Sequence, residues 1–203
     1  MVSAFLLLIG AGNAYAQDKT LINRLYDKFS ASCVGIEYGY VSRVSGVNIN
    51  GSGSLVLQGD MWHNEGNGIE MWCDGKTVWT VDHDAMEVVI DSVSGNGEEA
   101  DITNPALMFM KMQDLFNVKQ VLGSSDGKAE IYVLEPKGDI GIDFFDVEIL
   151  KSDASIRSGS FALEDGNKFD ITVNSMTINE KKSATSFRPS QTFDYNWIVT
   201  DLR

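Results

Sequence analysis

Short runs of alternating apolar and polar residues cover most of the chain, and turns that carry glycine and aspartate separate them. The pattern is densest at residues 69–91, where Asp74-Gly75 lies between two runs of β-forming residues. Aspartate followed by glycine is a strong hairpin signal, because glycine adopts the positive φ that a tight turn needs. A second break at residues 82–85 returns the chain into residues 86–91. This stretch therefore predicts three adjacent antiparallel strands.

Two segments have the spacing of helices instead. The first is predicted to begin near Thr20, with Asp18 as its cap. Its apolar positions recur along one face and are Leu21, Ile22, Leu25, Tyr26 and Phe29. One helix cannot bury such a face alone, so this helix is expected to lie on a sheet.

The second predicted helix begins at Asn104-Pro105, with asparagine as the cap and proline at the first helical position. Its body carries an unusual density of large apolar residues, namely Leu107, Met108, Phe109, Met110, Met112, Leu115 and Phe116. Methionine is flexible and suits a surface that repacks around varied apolar partners. The same composition also fits an ordinary core helix, and the pattern by itself leaves both interpretations open.

The remaining periodic segments predict strands. Two are expected at residues 34–45 and 51–59, joined by a loose turn at 46–50, with a short continuation at 61–64. The later ones are expected at residues 118–122, 129–134, 147–150, 158–163 and 169–178. Evenly spaced strands with only two helices predict a mainly β (α+β) fold, in which one large antiparallel sheet curls into a partial or closed barrel.

Composition and charge narrow the function classes. The 203 residues are 43% hydrophobic, enough for one sizeable core. Residues 1–16 are typical of a signal peptide that ends in a small-x-small site, although no Lys or Arg precedes the apolar run, and residues 17–203 are expected to form a single exported domain. A formal charge of −13 argues against partners such as nucleic acid or anionic lipid headgroups.

Candidate chemistry is sparse. The chain has two histidines, and the Asp82-His83-Asp84 triplet is more typical of a turn than of a metal site. No phosphate loop, nucleophile elbow or zinc-protease motif is present, so neither an enzyme, a cofactor nor a metal site is predicted. Cys33 and Cys73 could form a disulfide in an exported protein or remain two buried thiols; a simple meander would place them on opposite faces.

Four motifs, in order along the chain, resemble those of the periplasmic outer-membrane lipoprotein carriers, the LolA-like family. Gly53-Ser-Leu-Val-Leu resembles the G-x-L-x-L strand, and Cys73-Asp-Gly-Lys-Thr-Val-Trp79 resembles the S-D-G-K-x-L-W hairpin. Thr103-Asn-Pro-Ala-Leu107 resembles the N-T-P-x-x-L helix start, and Ala184-Thr-Ser-Phe-Arg-Pro189 resembles the F-x-F-x-P element. Each motif is weak alone, and the resemblance extends over the whole chain after residue 16.

The resemblance implies an unclosed half β-barrel whose helices cover an apolar cavity. The implied function is periplasmic: shielding the acyl chains of lipoproteins between the inner and outer membranes. The implied partners are acylated lipoproteins, a releasing transporter in the inner membrane and an acceptor at the outer membrane, with the carrier a monomer. The alternative is a sensor or regulatory domain on the same fold that binds lipoprotein or a partner protein.

Candidate lipid-binding residues follow from the apolar pattern and the resemblance together. They are Leu21, Leu25, Phe29, Leu55, Leu57, Trp62, Met71, Trp79, Leu107, Met108 and Met110. Ordinary core packing would use the same residue types. The family's Arg-Pro pair, whose arginine is thought to hold the covering helices closed, is replaced here by Gln58-Gly59-Asp60. A hydrogen bond from Gln58 could take its place, although it would be weaker without a charge.

Overall fold

The computed structural model describes residues 20–93 and 107–203. Twelve strands in this part of the chain form one continuous sheet. The strands are β1 (Cys33–Val44), β2 (Val47–Gln58), β3 (Met61–Gly66), β4 (Ile69–Asp74), β5 (Thr77–Asp82), β6 (Glu87–Ser92), β7 (Phe116–Gly123), β8 (Ala129–Pro136), β9 (Ile142–Leu150), β10 (Ile156–Leu163), β11 (Lys168–Asn179) and β12 (Ile198–Asp201). The helices are α1 (Leu21–Ala31), α2 (Leu107–Leu115) and a 3-10 helix at Ala184–Phe187.

The sheet is curled but does not close into a barrel. Its strand order is β12-β6-β5-β4-β3-β2-β1-β11-β10-β9-β8-β7, so β12 and β7 are its two edges. Neighbouring strands are antiparallel, except that β12 runs parallel to β6. The predicted mainly β fold with an unclosed half barrel is confirmed.

Tight turns fix the register of the first strands. Ser45 and Gly46, with φ of 51° and 79°, form a two-residue turn between β1 and β2. Positive φ at both central residues is what a type I′ hairpin requires. The predicted loose turn at residues 46–50 is therefore wrong, because both strands continue up to this pair. The predicted hairpin turn after Asp74 is confirmed: Gly75 has a φ of 88°, and Asp74 Oδ1 accepts hydrogen bonds from the amides of Lys76 and Thr77.

The two faces of the sheet have different covers. The register pairs Leu55 with Ile36 and with Asn64, so these side chains share one side, which we call the inner face. Both helices pack on the inner face, α1 against β1, β2 and β9. The central core there is fully buried and includes Leu25, Leu55, Phe109, Phe145, Val147 and Phe161.

The C-terminal segment, residues 180–203, crosses the opposite or outer face. Its 3-10 helix contacts β3 and β4, and Phe187 within that helix is buried. Arg188 Nε donates a hydrogen bond of 2.7 Å to Asp74 Oδ2. The segment ends in β12, which pairs with β6. The C-terminal segment thus covers part of the outer face of strands β3–β6.

Cys33 and Cys73 are both buried and both free. Cys73 pairs with Trp62, which pairs with Leu57, so its side chain lies on the inner face. Cys33 precedes Val34, which is paired with Leu57, and therefore points to the outer face. A disulfide between them is ruled out by this geometry. Burial raises the pKa of the Cys73 thiol, which keeps it protonated and unreactive.

Several expectations concern residues outside the described part of the chain. They are the signal peptide at residues 1–16, the Asp18 cap and the Asn104-Pro105 helix start. At the start of α1, Thr20 makes no side-chain capping hydrogen bond. No helix of the described residues combines the length and the apolarity needed to cross a bilayer.

Candidate functional site

A cleft of about 150 Å³ separates α1 from α2 at the end of β2. Tyr26 and Phe29 line it from α1, Leu57 lines it from the sheet, and Phe109 and Met110 line it from α2. Its rim is polar and exposed, with Ser30, Gly59, Asp60, Gln113 and Asp114. The cleft is therefore an apolar slot with a hydrophilic mouth, and it leads towards the inner face of the sheet.

Side chains of α2 fill the space beneath the cleft. Met108, Phe109 and Met112 are 2%, 0% and 0% exposed and belong to the core cluster. Lys111, Gln113 and other polar residues of α2 point outward, so the helix buries one face only. The apolar interior is closed in this structure because α2 occupies it.

An aromatic cluster forms the floor of this space. Phe145 is surrounded by Phe109 at 6.1 Å, Phe116 at 5.4 Å and Phe161 at 6.2 Å between ring centroids. The Phe109 ring lies directly on Gly159, where a side chain would collide with it. Glycine at this position of β10 lets α2 approach the sheet closely.

At the rim of the cleft, a carboxylate on α2 affects the pKa of a tyrosine on α1. Partial burial, reinforced by the nearby Asp114 carboxylate on α2, raises the pKa of Tyr26 to about 12. The Tyr26 hydroxyl is therefore protonated at neutral pH. Asp60 and Asp114 make the mouth acidic, whereas the deeper lining carries no ionisable group other than Tyr26.

Most of the predicted lipid-binding residues meet on the inner face. Leu25, Leu55, Leu57 and Met108 are buried in the core cluster, and Leu21, Phe29, Trp62 and Met110 pack against it as partly buried residues. Phe29, Leu57 and Met110 also line the cleft. That these residues contact a lipid stays a prediction.

The other three predicted residues do not belong to this group. Met71 pairs with Asn64 and so lies on the inner side, where it is half-buried and outside the core cluster. Trp79 pairs with Trp72, which pairs with His63, and this row lies on the outer face, away from the cleft. Leu107 is the first residue of α2, and its side chain is outside the described part of the structure.

The sequence-based set omitted Phe109 and Met112, which fill the interior. Together with Met108 they follow the i, i+1, i+4 spacing of one helical face, whereas Met110 points away from that face. Helical periodicity within residues 107–116 would have separated the positions that face the interior from Met110. The density of methionine in this segment does not make that distinction.

Gln58 does not hold the covering helices. Its side chain is on the outer face, where Nε2 donates to the Lys182 carbonyl at 2.9 Å and Oε1 accepts from the Lys182 amide at 2.7 Å. The hypothesis that Gln58 replaces the family's arginine as a latch is therefore wrong. The residue ties the C-terminal segment to the end of β2 instead.

A second depression, of about 350 Å³, lies on the outer face of β8–β11. Its polar lining comprises Asp146, Glu148, Ser158, Ser160, Asp170 and Thr172. Burial raises the pKa of Asp146. Charged and hydroxyl groups cannot shelter an acyl chain from water, so the cleft between the helices is the better candidate site.

Comparisons with known proteins agree on the fold and leave the family open. No protein-family model matches the sequence, and no curated protein matches it. The chain is similar to the crystal structure of an uncharacterized conserved protein from Thermus thermophilus, with a TM-score of 0.55 at 14% identity over 89% of this chain and 96% of that one. The two proteins share a fold.

Two further similar structures are a putative outer membrane lipoprotein-sorting protein domain from Vibrio parahaemolyticus and a LolA superfamily protein from Nitrosomonas europaea. The first has a TM-score of 0.47 at 8% identity, over 82% of this chain and 94% of that one. The second has a TM-score of 0.45 at 10% identity, over 83% and 96%. The LolA superfamily, to which the motifs pointed, is thus represented among the structures that resemble this chain. Similarity at this level concerns the fold alone.

Proposed function

We propose that this protein is a periplasmic carrier that shelters the acyl chains of lipoproteins between the inner face of its sheet and helices α1 and α2. One observation supports the proposal above the others. The cleft between the helices leads from solvent to the apolar interior, and the side chains that fill and close this interior belong to a short helix, α2. Moving that helix would exchange its own side chains for those of a guest.

The small volume of the cleft supports the need for such a movement. Pockets for small ligands measure roughly 300–1,000 Å³, and the cleft of about 150 Å³ is smaller. An acyl chain would therefore enter only when Met108, Phe109 and Met112 leave the inner face. Binding is then a competition between the guest and α2 for one apolar surface.

Transfer free energies favour replacing the α2 side chains on the inner face with an acyl chain. Exposing three large apolar side chains costs about 1.5–3 kcal/mol each, or roughly 5–9 kcal/mol together. Sheltering one chain of about sixteen carbons from water contributes roughly 12 kcal/mol, at about 0.8 kcal/mol per methylene. The surplus is small enough for the carrier to release its cargo to an acceptor without a nucleotide of its own.

The proposed pathway follows from this chemistry. The cargo would be received from a lipoprotein-releasing transporter of the inner membrane and passed to an acceptor at the outer membrane. Residues 1–16 would direct export and be removed, leaving residues 17–203 as one domain. The acidic charge of −13 is compatible with approach to a protein acceptor and would disfavour adhesion to anionic headgroups.

Displacement of a fluorescent fatty-acid probe by a synthetic diacylated lipopeptide tests the proposal. We expect saturable binding that the unacylated peptide does not compete with. Met110→Lys places a charge in the cleft and should weaken binding by at least about tenfold, because desolvating an ammonium group opposes entry of an apolar chain. Met86→Lys is the matched control, since Met86 is 48% exposed in the turn between β5 and β6.

Two results would overturn the carrier function. One is the absence of probe binding by the folded wild-type protein; the other is equal weakening by both methionine substitutions, which would mean binding away from the cleft. Mass spectrometry of protein purified from its native envelope provides an independent measure. Recovery of a partner protein without lipid would favour the sensor or regulatory alternative.

A further inference from the structure

Both histidines of the chain converge on one carboxylate on the outer face. His63 Nε2 lies 3.5 Å from Glu70 Oε1, and His83 Nε2 lies 3.0 Å from Glu70 Oε2. Glu65 is directly opposite Glu70 in the β3–β4 register. The ligand atoms of His63, Glu65 and Glu70 lie within 4.8 Å of one another. Residues from two strands and a more distant turn thus meet at one point.

We propose that His63, Glu65 and Glu70 bind a divalent transition-metal ion, zinc being the best match, and that His83 positions Glu70 through its second oxygen. The ion would lie on the outer face of β3 and β4, on the other side of the sheet from the cleft. The proposal is independent of the carrier function.

The spacing of the donor atoms supports a metal ion. Zinc lies about 2.0–2.2 Å from nitrogen and oxygen ligands, so two ligands of a tetrahedral ion are roughly 3.4 Å apart. The distance of 3.5 Å between His63 Nε2 and Glu70 Oε1 is close to this value. The same distance is at the limit of a hydrogen bond, and this buried Nε2 atom makes none in the described structure. An ion between the two atoms would satisfy both.

Charge also favours a cation here. Like charges directly opposite each other on neighbouring strands destabilise a sheet, and Glu65 and Glu70 are such a pair. Among residues 20–93 and 107–203, no lysine or arginine forms an ion pair with either glutamate.

Aromatic rings hold both imidazoles in place. Trp72 stacks on His63 with ring centroids 3.5 Å apart and an angle of 12° between planes. Trp197, in the C-terminal segment, meets His83 edge-on at 5.9 Å. His83 in turn bonds the free oxygen of Glu70, which is the type of outer contact that orients a metal-binding carboxylate. Glu65 is exposed, so solvent reaches the ion on this side, and water or another ligand can occupy its fourth coordination position.

The donor set selects the class of ion. One imidazole and two carboxylates suit zinc or a similar first-row ion, whereas magnesium prefers oxygen ligands alone. The three donors come from neighbouring positions on two paired strands, so the site needs no movement of the chain to form.

Isothermal titration calorimetry with zinc chloride tests the site, using chelator-treated protein without a histidine tag. We expect one zinc ion per chain and a higher melting temperature in its presence. Glu65→Gln and Glu70→Gln should each weaken binding by at least about tenfold, since each removes a charged ligand. Glu37→Gln is the control, because Glu37 is an exposed glutamate on the outer face of the nearby strand β1.

Three results would overturn the inference. They are the absence of saturable zinc binding, unchanged affinity in both glutamine variants, and equal competition by magnesium, which would exclude the imidazole as a ligand. Glu65 is exposed, so Glu65→Gln should leave the circular dichroism spectrum unchanged and report on binding even where Glu70→Gln alters folding.

Discussion

The Phe109 ring on α2 rests on the backbone of Gly159 in β10: a Cβ atom at Gly159 would lie 2.9 Å from Cε1 and 3.1 Å from Cζ of that ring. Phe109 is completely buried, and its neighbour Phe145 lies 3.3 Å from the same point. This contact joins α2 to the sheet. A substitution at Gly159 therefore disturbs the packing of α2 without changing any residue of that helix.

Gly159→Ala is expected to lower the free energy of unfolding by about 1–3 kcal/mol, because the added methyl group forces Phe109 out of its position. The measurement is urea denaturation. Phe109→Ala removes the ring, so adding Gly159→Ala to that variant should cost little more. A double variant that shows the two losses simply added would contradict the contact. Gly123→Ala is the control, since no atom lies within 4 Å of a Cβ at Gly123 in β7.

Gln58 is expected to hold the C-terminal segment against the end of β2, because it forms two hydrogen bonds with the backbone of Lys182. Gln58→Glu keeps the acceptor but places a second oxygen against the Lys182 carbonyl, and should lower the free energy of unfolding by about 1–3 kcal/mol. Hydrogen exchange should become faster around residues 180–189. Unchanged exchange there would show that the segment is held by other contacts. Acyl-probe binding should be unaffected, as Gln58 lies on the outer face.

Asp74 is expected to make the protein sensitive to acid. Its side chain is 3% exposed; burial raises its pKa, but hydrogen bonds from the Thr77 and Lys76 amides and from Arg188 outweigh this, so the pKa is below the ordinary value. A carboxyl whose pKa is lower in the folded state stabilises the fold above its unfolded pKa of about 3.9, and this contribution is lost as the pH falls through the folded value.

The test is the melting temperature as a function of pH. Asp74→Asn should be less stable at neutral pH by about 1–3 kcal/mol and should lose less stability on acidification than the wild type. Asp139→Asn, at an exposed position before β9, should follow the wild-type profile. Parallel profiles for the wild type and Asp74→Asn would contradict this account.

Tyr38 and Asn64 are expected to act as a buried pair on the inner face. The Tyr38 hydroxyl donates to Asn64 Oδ1 at 2.9 Å, and the two residues are 3% and 5% exposed. Tyr38→Phe leaves the amide oxygen without this donor and should cost about 1–3 kcal/mol in urea denaturation. Combining it with Asn64→Leu should restore part of the loss, because both polar groups are then gone. No recovery would indicate that Asn64 has another essential partner.

Local signals in the sequence predicted the elements well. Asp74-Gly75 predicted a turn that the structure contains, and the apolar positions of α1 predicted the face that Ile22 and Leu25 bury. Turn spacing predicted where the strands lie, and the resemblance to the carrier family implied that the sheet does not close. These features depend on residues close in the chain, where φ preferences and side-chain periodicity act directly.

Assignment of residues to faces was less successful where both faces are covered. Trp79 and Met71 belong to the same hairpin and are similarly apolar, yet they point to opposite sides of the sheet. The C-terminal segment covers the outer face of these strands, so hydrophobicity there does not alternate with burial on one side only. Only the register distinguishes the two residues.

The amino-acid sequence by itself determined the β-rich architecture, the hairpin turns and the apolar face of α1, because each depends on interactions within a few residues. Tertiary structure decided which side chains fill the interior, how Gln58 is used and that His63, Glu65, Glu70 and His83 meet. Those outcomes depend on strand register and on a C-terminal segment that returns to β3–β6 from more than a hundred residues away, as the bond from Arg188 to Asp74 illustrates. A pattern read along the chain contains no information about contacts between distant segments, because packing of the whole sheet sets them.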